Sequence, residues 1–357
     1  MHPGRSLVTV KCKSGELSAL RNLSSPDDAR ADVIVELLDS VSPSGRILPA
    51  LISAAVNLAN FGRTLWLDTT WLTPTSPLAE QQGGALEYLD ELIESAIAAK
   101  LGLLGLDRPG LIPVVPIDAP DDELRRTRLL IEHQDREVVI RIRRPNRSAH
   151  ELGERIRSVM RLTGTRPGRV RAVIDAEFVE TVSTRQVAAI TATVTTASDL
   201  LGPGAAQLLA GSIPRTRDTY ATILRDRPEV TLWEEVCEGS SGEVGYGDYG
   251  VTHPVPPADG GNARSPSPYL CYTVPRKTVV LRRKLEEGDG AAESFADLVE
   301  ELVERDDFAG PDYSWGDREL TQCRRTGGKT AGAVSRWIAM ATSHHLQHVS
   351  HRTAEDL

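Results

Sequence analysis

The feature that most constrains this chain is a unit that recurs along its first two thirds: a short apolar run that ends on a charged residue, followed by a segment with helical apolar spacing. Its clearest copy is RVRAVIDAE, residues 169–177, an apolar run that closes on Asp175 and Glu177. Successive side chains of a strand face opposite ways, so Val173, Asp175 and Glu177 share one face while Ala172, Ile174 and Ala176 share the other. The acids therefore lie on one side, at the carboxyl end of the strand.

Seven further runs follow the same plan: LVTVKCK (7–13), VIVELL (33–38), TLWLDTT (64–70), LIPVVPID (111–118), EVVIRIR (137–143), QLLAGSI (207–213) and EVTLWEEV (229–236). Helical spacing follows most of them, at 15–23, 46–60, 84–104, from Asp121 onward, 150–162 and 183–201. Only about a dozen residues, 215–227, remain for a crossover between the last two runs, which is short for such a connection. Eight strands alternating with helices predict an α/β fold, a (β/α)8 TIM-like barrel. A doubly wound sheet is the rival, but no G-x-G-x-x-G follows the first strand.

Residues 1–236 are thus expected to hold strands one to eight. Residues 237–357 form a Gly/Pro-rich lid loop, one or two strands in 269–284, a helix over 291–305 and a closing helix over 332–348, all within the same domain. Within the loop, GYGDYGVTHP (245–254) is expected to be an ordered lid, with Tyr246 and Tyr249 as anchors and Asp248 pointing into the barrel mouth beside Lys11 or Arg141.

With the charged parity inward, Lys11, Lys13, Glu36, Asp68, Arg141, Arg143, Asp175, Glu177 and Glu234 gather near one mouth, because an outer face packed on helices would tolerate them poorly. In such barrels the active site is built at the carboxyl ends of the strands. Glu36, Asp175 and Asp248 are the candidate catalytic groups, acting as acid, base or ligands of a divalent metal; Lys11, Lys13, Asp68, Arg141, Tyr249 and His253 are the candidate substrate-binding groups. The competing reading is a structural layer of ion pairs that neutralise one another.

A formal net charge of −9 argues against a general coat for nucleic acid and against a membrane-surface protein, so any anion site must be local. The four cysteines, Cys12, Cys237, Cys271 and Cys323, are far apart and form no CxxC pair, and no apolar run approaches a membrane span; a cytoplasmic protein is expected. His344 and His348 stand at i, i+4, a spacing that can bind zinc, but without the Glu of HExxH. RTGGKT (325–330) lacks the first glycine of a P-loop, since Cys323 stands at that position.

The segments KCKSGELSAL, VIVELLD, GYGDYGVTHP and RWIAMATSHHL together resemble the bacteriophage-type beta protein family. The matching positions are Lys13, Gly15, Glu16, Glu36, Asp175, Gly247, Asp248, Tyr249, His253, Pro254, Trp337, His344 and His345; Leu37 and Leu38 depart from the ending the family pattern leads one to expect. The resemblance implies a setting in phage–host conflict and carries no mechanism. Two functions follow as expectations: an enzyme acting on an anionic, phosphate-containing or nucleotide substrate, and a non-catalytic binding or sensing component of an anti-phage defence system that works with a protein partner.

Overall fold

The computed structural model describes residues 6–27, 30–105, 108–216, 219–240, 242–257, 267–287 and 290–351. The chain runs β1 (Leu7–Lys11), α1 (Ser14–Arg21), β2 (Asp32–Leu38), α2 (Ile47–Asn60), β3 (Leu65–Trp71), α3 (Gly84–Leu101), β4 (Leu111–Pro116), α4 (Asp121–Gln134), β5 (Val138–Arg143), α5 (Ala149–Thr163), β6 (Val170–Phe178), α6 (Thr184–Leu201) and β7 (Ala206–Gly211). It continues through β8 (Ile223–Asp226), α7 (Pro228–Gly239), β9 (Gly245–Asp248), β10 (Tyr269–Val274), β11 (Lys277–Arg282), α8 (Ala291–Val303), α9 (Trp315–Arg325) and α10 (Val334–Ser350). Strands β1 to β7 and β9 close a parallel barrel of eight strands, so the TIM-like architecture expected from the alternation is the one found.

The helices start where local chemistry starts them. Ser148 and Glu151 form a reciprocal capping box on α5, and Ser183 and Ser314 accept N–H bonds at the starts of α6 and α9. Outward strand residues such as Val10, Val35 and Leu67 pack on α1, α2, α3 and the end of α10; Ile140, Ile174 and Leu208 pack under α5, α6 and α7. Inward, Leu7, Ile34, Trp66, Val114, Val139, Val173, Leu209 and Tyr249 fill the barrel with an apolar layer. Above it, toward the carboxyl ends, the inward positions turn polar.

Three elements differ from the sequence reading. Residues 229–236, expected as the eighth strand, form helix α7, with Pro228 in its first turn and Val230, Leu232 and Val236 buried; Glu234 is accordingly on the helix surface, paired with Arg276, and not in the mouth. The barrel's eighth strand is instead β9, the first part of the expected lid, so the barrel extends past residue 236. The residues expected as a short crossover helix contain β8, the edge strand of an antiparallel sheet ordered β10-β11-β8. Part of the Gly/Pro/Ser-rich loop, residues 241 and 258–266, lies outside the described residues.

Strand parity decides the fate of Asp248. Tyr249 faces the interior with Gly245 and Gly247, so Tyr246 and Asp248 face outward under α7 and α10. Asp248 there accepts from Arg227 at 2.7 Å, from the Tyr246 hydroxyl at 2.8 Å, from the Gly250 N–H at 3.0 Å, and meets His345 Nε2 at 2.8 Å. His345 Nδ1 lies 2.8 Å from the Thr273 hydroxyl, which ties β9, α10 and β10 together. Burial works against its ionisation, but His345 and Arg227 more than offset this and hold the carboxyl below the usual carboxylate range. The neighbouring His344 bonds Asp317 on α9 and the Thr273 carbonyl, so its ring nitrogens are engaged in holding α9 and β10 to α10.

Helix α10 closes on α1 at Gly15, where a Cβ would stand 2.6 Å from the Ser335 carbonyl oxygen. Gly15→Ala is therefore expected to push the two helices apart and destabilise the fold by about 1–3 kcal/mol; an unchanged urea midpoint would refute the close approach. Asp248→Asn leaves Arg227 facing Glu229 without its second counter-charge, and a loss of about 3 kcal/mol is expected at neutral pH. Because the folded-state pKa is lowered, that contribution is present above about pH 4 and is lost as pH falls through the folded value. Denaturation of both proteins across pH 2–7, a range spanning the carboxylate values, should show the gap narrowing at the acid end; a gap that widens there contradicts the ionised pair.

Candidate functional site

The polar layer is centred on Arg141, which has no exposed surface. Its Nε and Nη2 donate to Asp175 Oδ2 at 3.1 and 2.8 Å, Nη2 also meets the Tyr249 hydroxyl at 2.5 Å, and Nη1 donates to Asp68 and lies 2.8 Å from Glu36 Oε1. A guanidinium on β5 thereby crosses the barrel to carboxylates on β2, β3 and β6. Lys11 Nζ completes the set, 2.7 Å from both Glu36 Oε2 and the Pro254 carbonyl oxygen and 5.1 Å from the Tyr249 ring centre.

The register explains the convergence. Lys11 pairs with Glu36 and Glu36 with Asp68 across adjacent strands, while Arg143 pairs with Asp175, so like parities climb to one level. The carboxylates are also aimed by local bonds. Thr70 donates its N–H at 2.8 Å and its hydroxyl at 2.5 Å to Asp68 Oδ1, and the Glu177 N–H donates to Asp175 Oδ1 at 2.8 Å.

The electrostatics separate the acids. Burial raises both Glu36 and Asp68, but Glu36, between Lys11 and Arg141 and beside the Trp71 indole N–H, ends below its ordinary value. Asp68 stays above its ordinary value: Arg141 offsets part of the burial, and the nearby Glu36 adds to the rise. Burial pushes the Tyr249 hydroxyl well above its ordinary value against the pull of Arg141. Three carboxylates face two cations here, and the guanidinium occupies the centre on which the carboxylates converge; among the described residues no group of three or more His, Cys, Asp or Glu is arranged to hold a metal ion.

The rim is more open and more strained. The Arg143 guanidinium lies 4.2 Å from the Trp71 ring centre and bonds Glu177, and Arg144 bonds the same carboxylate at 2.8 Å. Arg144 (φ 49°) and Glu177 (φ 57°) both adopt the left-handed backbone region, an uncommon state for such residues that clusters at functional sites.

Of the residues singled out from the sequence, Lys11, Glu36, Asp68, Arg141, Asp175 and Tyr249 come together. Lys13 is half-buried at the N-cap of α1, just past the end of β1. His253 lies over the ends of β6 and β7, with Nδ1 2.9 Å from the Ile213 carbonyl oxygen and its ring 5.2 Å from that of Phe178. Asp248 belongs to the separate Arg227 and His345 cluster. Two acids carried no strand-parity signal and were not singled out as site residues. Glu16 is buried on α1, raised by burial and partly offset by its own N–H, Lys13 and Lys11; Glu123 is on α4, where the Thr69 hydroxyl donates to it at 3.0 Å. Burial, then Glu16, pushes the adjacent Cys12 thiol up to about 12, which keeps it protonated.

No helix among the described residues is long and apolar enough to cross a membrane. A search of curated proteins found no match to the chain. Solved structures are similar at low level: a malate synthase from Haloferax volcanii (12% identity, TM-score 0.41, covering 95% of this chain and 88% of that one) and the YdjI aldolase from Escherichia coli K12 (9%, 0.34, 69% and 75%). A probable tagatose 6 phosphate kinase from Sinorhizobium meliloti 1021 is similar at 13% identity and a TM-score of 0.35, covering 67% of this chain and 64% of that one. The family model described as Beta protein matches residues 8–351, nearly the whole length. The chain belongs to the Beta protein family.

Proposed function

We propose that the protein is an enzyme that moves a proton at the carboxyl-end mouth of its barrel, on a small substrate bearing a phosphate or comparable anionic group. The observation that carries this reading is the pair Glu36 and Asp68: register neighbours, fully buried, both on Arg141, yet pushed in opposite directions. Carboxyls whose environments drive their pKa values apart are how acid and base roles are assigned in a site. Asp68 is then the proton carrier and Glu36 the ionised partner. Lys11 and Arg141 receive the anionic group by exchanging a carboxylate for it, and Asp175 holds Arg141 in place.

Lys13, Tyr249 and His253 stand around the same mouth as substrate-facing groups. Because the network is buried, substrate reaches it only when the segment after β9 lifts, which breaks the Lys11 bond to Pro254. The energetics favour a use for these charges. Buried ion clusters stabilise folds poorly, and apolar side chains of similar volume often do as well.

A second reading has its own support. Each cation already has its counter-ions and none of the central carboxylates is exposed, as in a structural cluster. In that case the barrel is the non-catalytic recognition component of an anti-phage defence system, and a partner supplies the effector activity.

Purified protein would be screened against phosphomonoesters, phosphodiesters and nucleotides with chromatography of the products. Asp68→Asn places an amide against Thr70 or Arg141 and is expected to cost about 1–3 kcal/mol in stability. Turnover should fall by about 10²–10⁴-fold, as for loss of a general acid, beyond what the folded fraction accounts for. If the parent protein turns over none of these compounds while the Asp68→Asn chain still protects cells under phage challenge, the enzymatic reading is wrong and the recognition reading stands.

A further inference from the structure

A concavity about 420 Å3 in volume opens outside the barrel wall between the starts of α3 and α4. That volume is within the range of small-ligand sites. Parity again sets its position: on β3, Asp68 faces the barrel interior, and Thr69, the next residue, faces the opposite way, into this cleft. Leu72, Pro74, Leu86 and Leu130 give it an apolar wall. Its charged groups are Glu87, Asp122, Glu123 and Arg126, three acids against one base.

The pairing among them is uneven. Arg126 is turned to Asp122 at 2.5 Å and Arg125 to Asp121 at 3.8 Å. Glu123 is left half-buried, held by the Thr69 hydroxyl and, among the described residues, by no ion pair within 4 Å. The one cation near this half-buried carboxylate, Arg126, is spent on Asp122. A ligand that brings one gains a charge-assisted hydrogen bond and buries its apolar body in the same step.

We propose that this cleft binds a small organic cation, a protonated amine on a compact apolar body, with the ammonium on Glu123 and the body against Leu72, Leu86 and Leu130. The site is distinct from the Arg141 network and requires no chemistry there, so it stands whether or not the barrel mouth is catalytic. Burial holds the Glu123 carboxyl above its ordinary value, with Thr69 and Arg126 offsetting part of the rise and Asp122 and Asp68 adding to it. A proton therefore competes with the ammonium, and the amine binds less tightly as pH falls, beginning where an exposed carboxylate would still be ionised.

Calorimetric titration of the full chain with cyclohexylamine and with cyclohexanol, at a pH where the amine is protonated, tests the assignment. The amine is expected to bind about tenfold or more tighter than the alcohol. Glu123→Gln should erase that margin and leave the alcohol's affinity within about twofold, and Ala79→Trp, which fills the cleft, should abolish binding of both. Equal affinity for the two probes, no binding of either, a margin that survives Glu123→Gln, or binding that survives Ala79→Trp would each overturn the proposal.

Discussion

One buried guanidinium organises the polar half of this barrel. Arg141 carries a full charge into the interior and satisfies it with Asp68, Asp175, Glu36 and the Tyr249 hydroxyl, which come from four different parts of the wall. A charge so placed is tolerable only if every partner is present and well aimed. The remaining strand ends follow from that requirement. Thr70 and the Glu177 N–H aim two of the carboxylates, Lys11 neutralises the third, and the bond from Lys11 to Pro254 draws the segment after β9 across the mouth.

A second buried cluster does for the outside of β9 what Arg141 does for the inside. Asp248 joins Arg227, Tyr246 and His345, and through His345 reaches Thr273 on β10, so the last barrel strand is held to α10 and to the antiparallel sheet together. Consecutive residues of one strand, Asp248 and Tyr249, thus serve two separate networks on opposite faces. The glycines before them have a packing reason. At Gly245 a Cβ would stand 2.6 Å from the Gln207 side chain, and at Gly247 it would stand 3.0 Å from the Leu208 carbonyl oxygen, so a side chain at either position would force its neighbours to shift.

The same glycines explain why this strand was hard to read. A strand shows itself in sequence by alternating side chains, and GYGD has none at its inward positions, so it resembles a turn. Residues 229–236 misled in the opposite direction. Val230, Thr231 and Val236 are β-branched and the run is eight residues long, within the range where apolar periodicity does not separate a strand from a helix. Placing Asp248 in the mouth was a consequence of those two readings, because a lid can turn any residue inward and a strand cannot. Glu123 left no trace in the sequence, since on a charged helix surface nothing marks which acids line a cleft.

By itself the sequence determined the alternation, hence the barrel, and through period-two parity the inward set Lys11, Glu36, Asp68, Arg141 and Asp175; both follow from local geometry, which neighbouring residues encode. Only the tertiary structure decided which segment closes the barrel, which acid pairs with which base, and that Glu36 and Asp68 are pushed in opposite directions. Those outcomes depend on distances between residues far apart in the chain, 73 positions for Arg141 and Asp68 and 97 for Asp248 and His345, and no local pattern carries such distances.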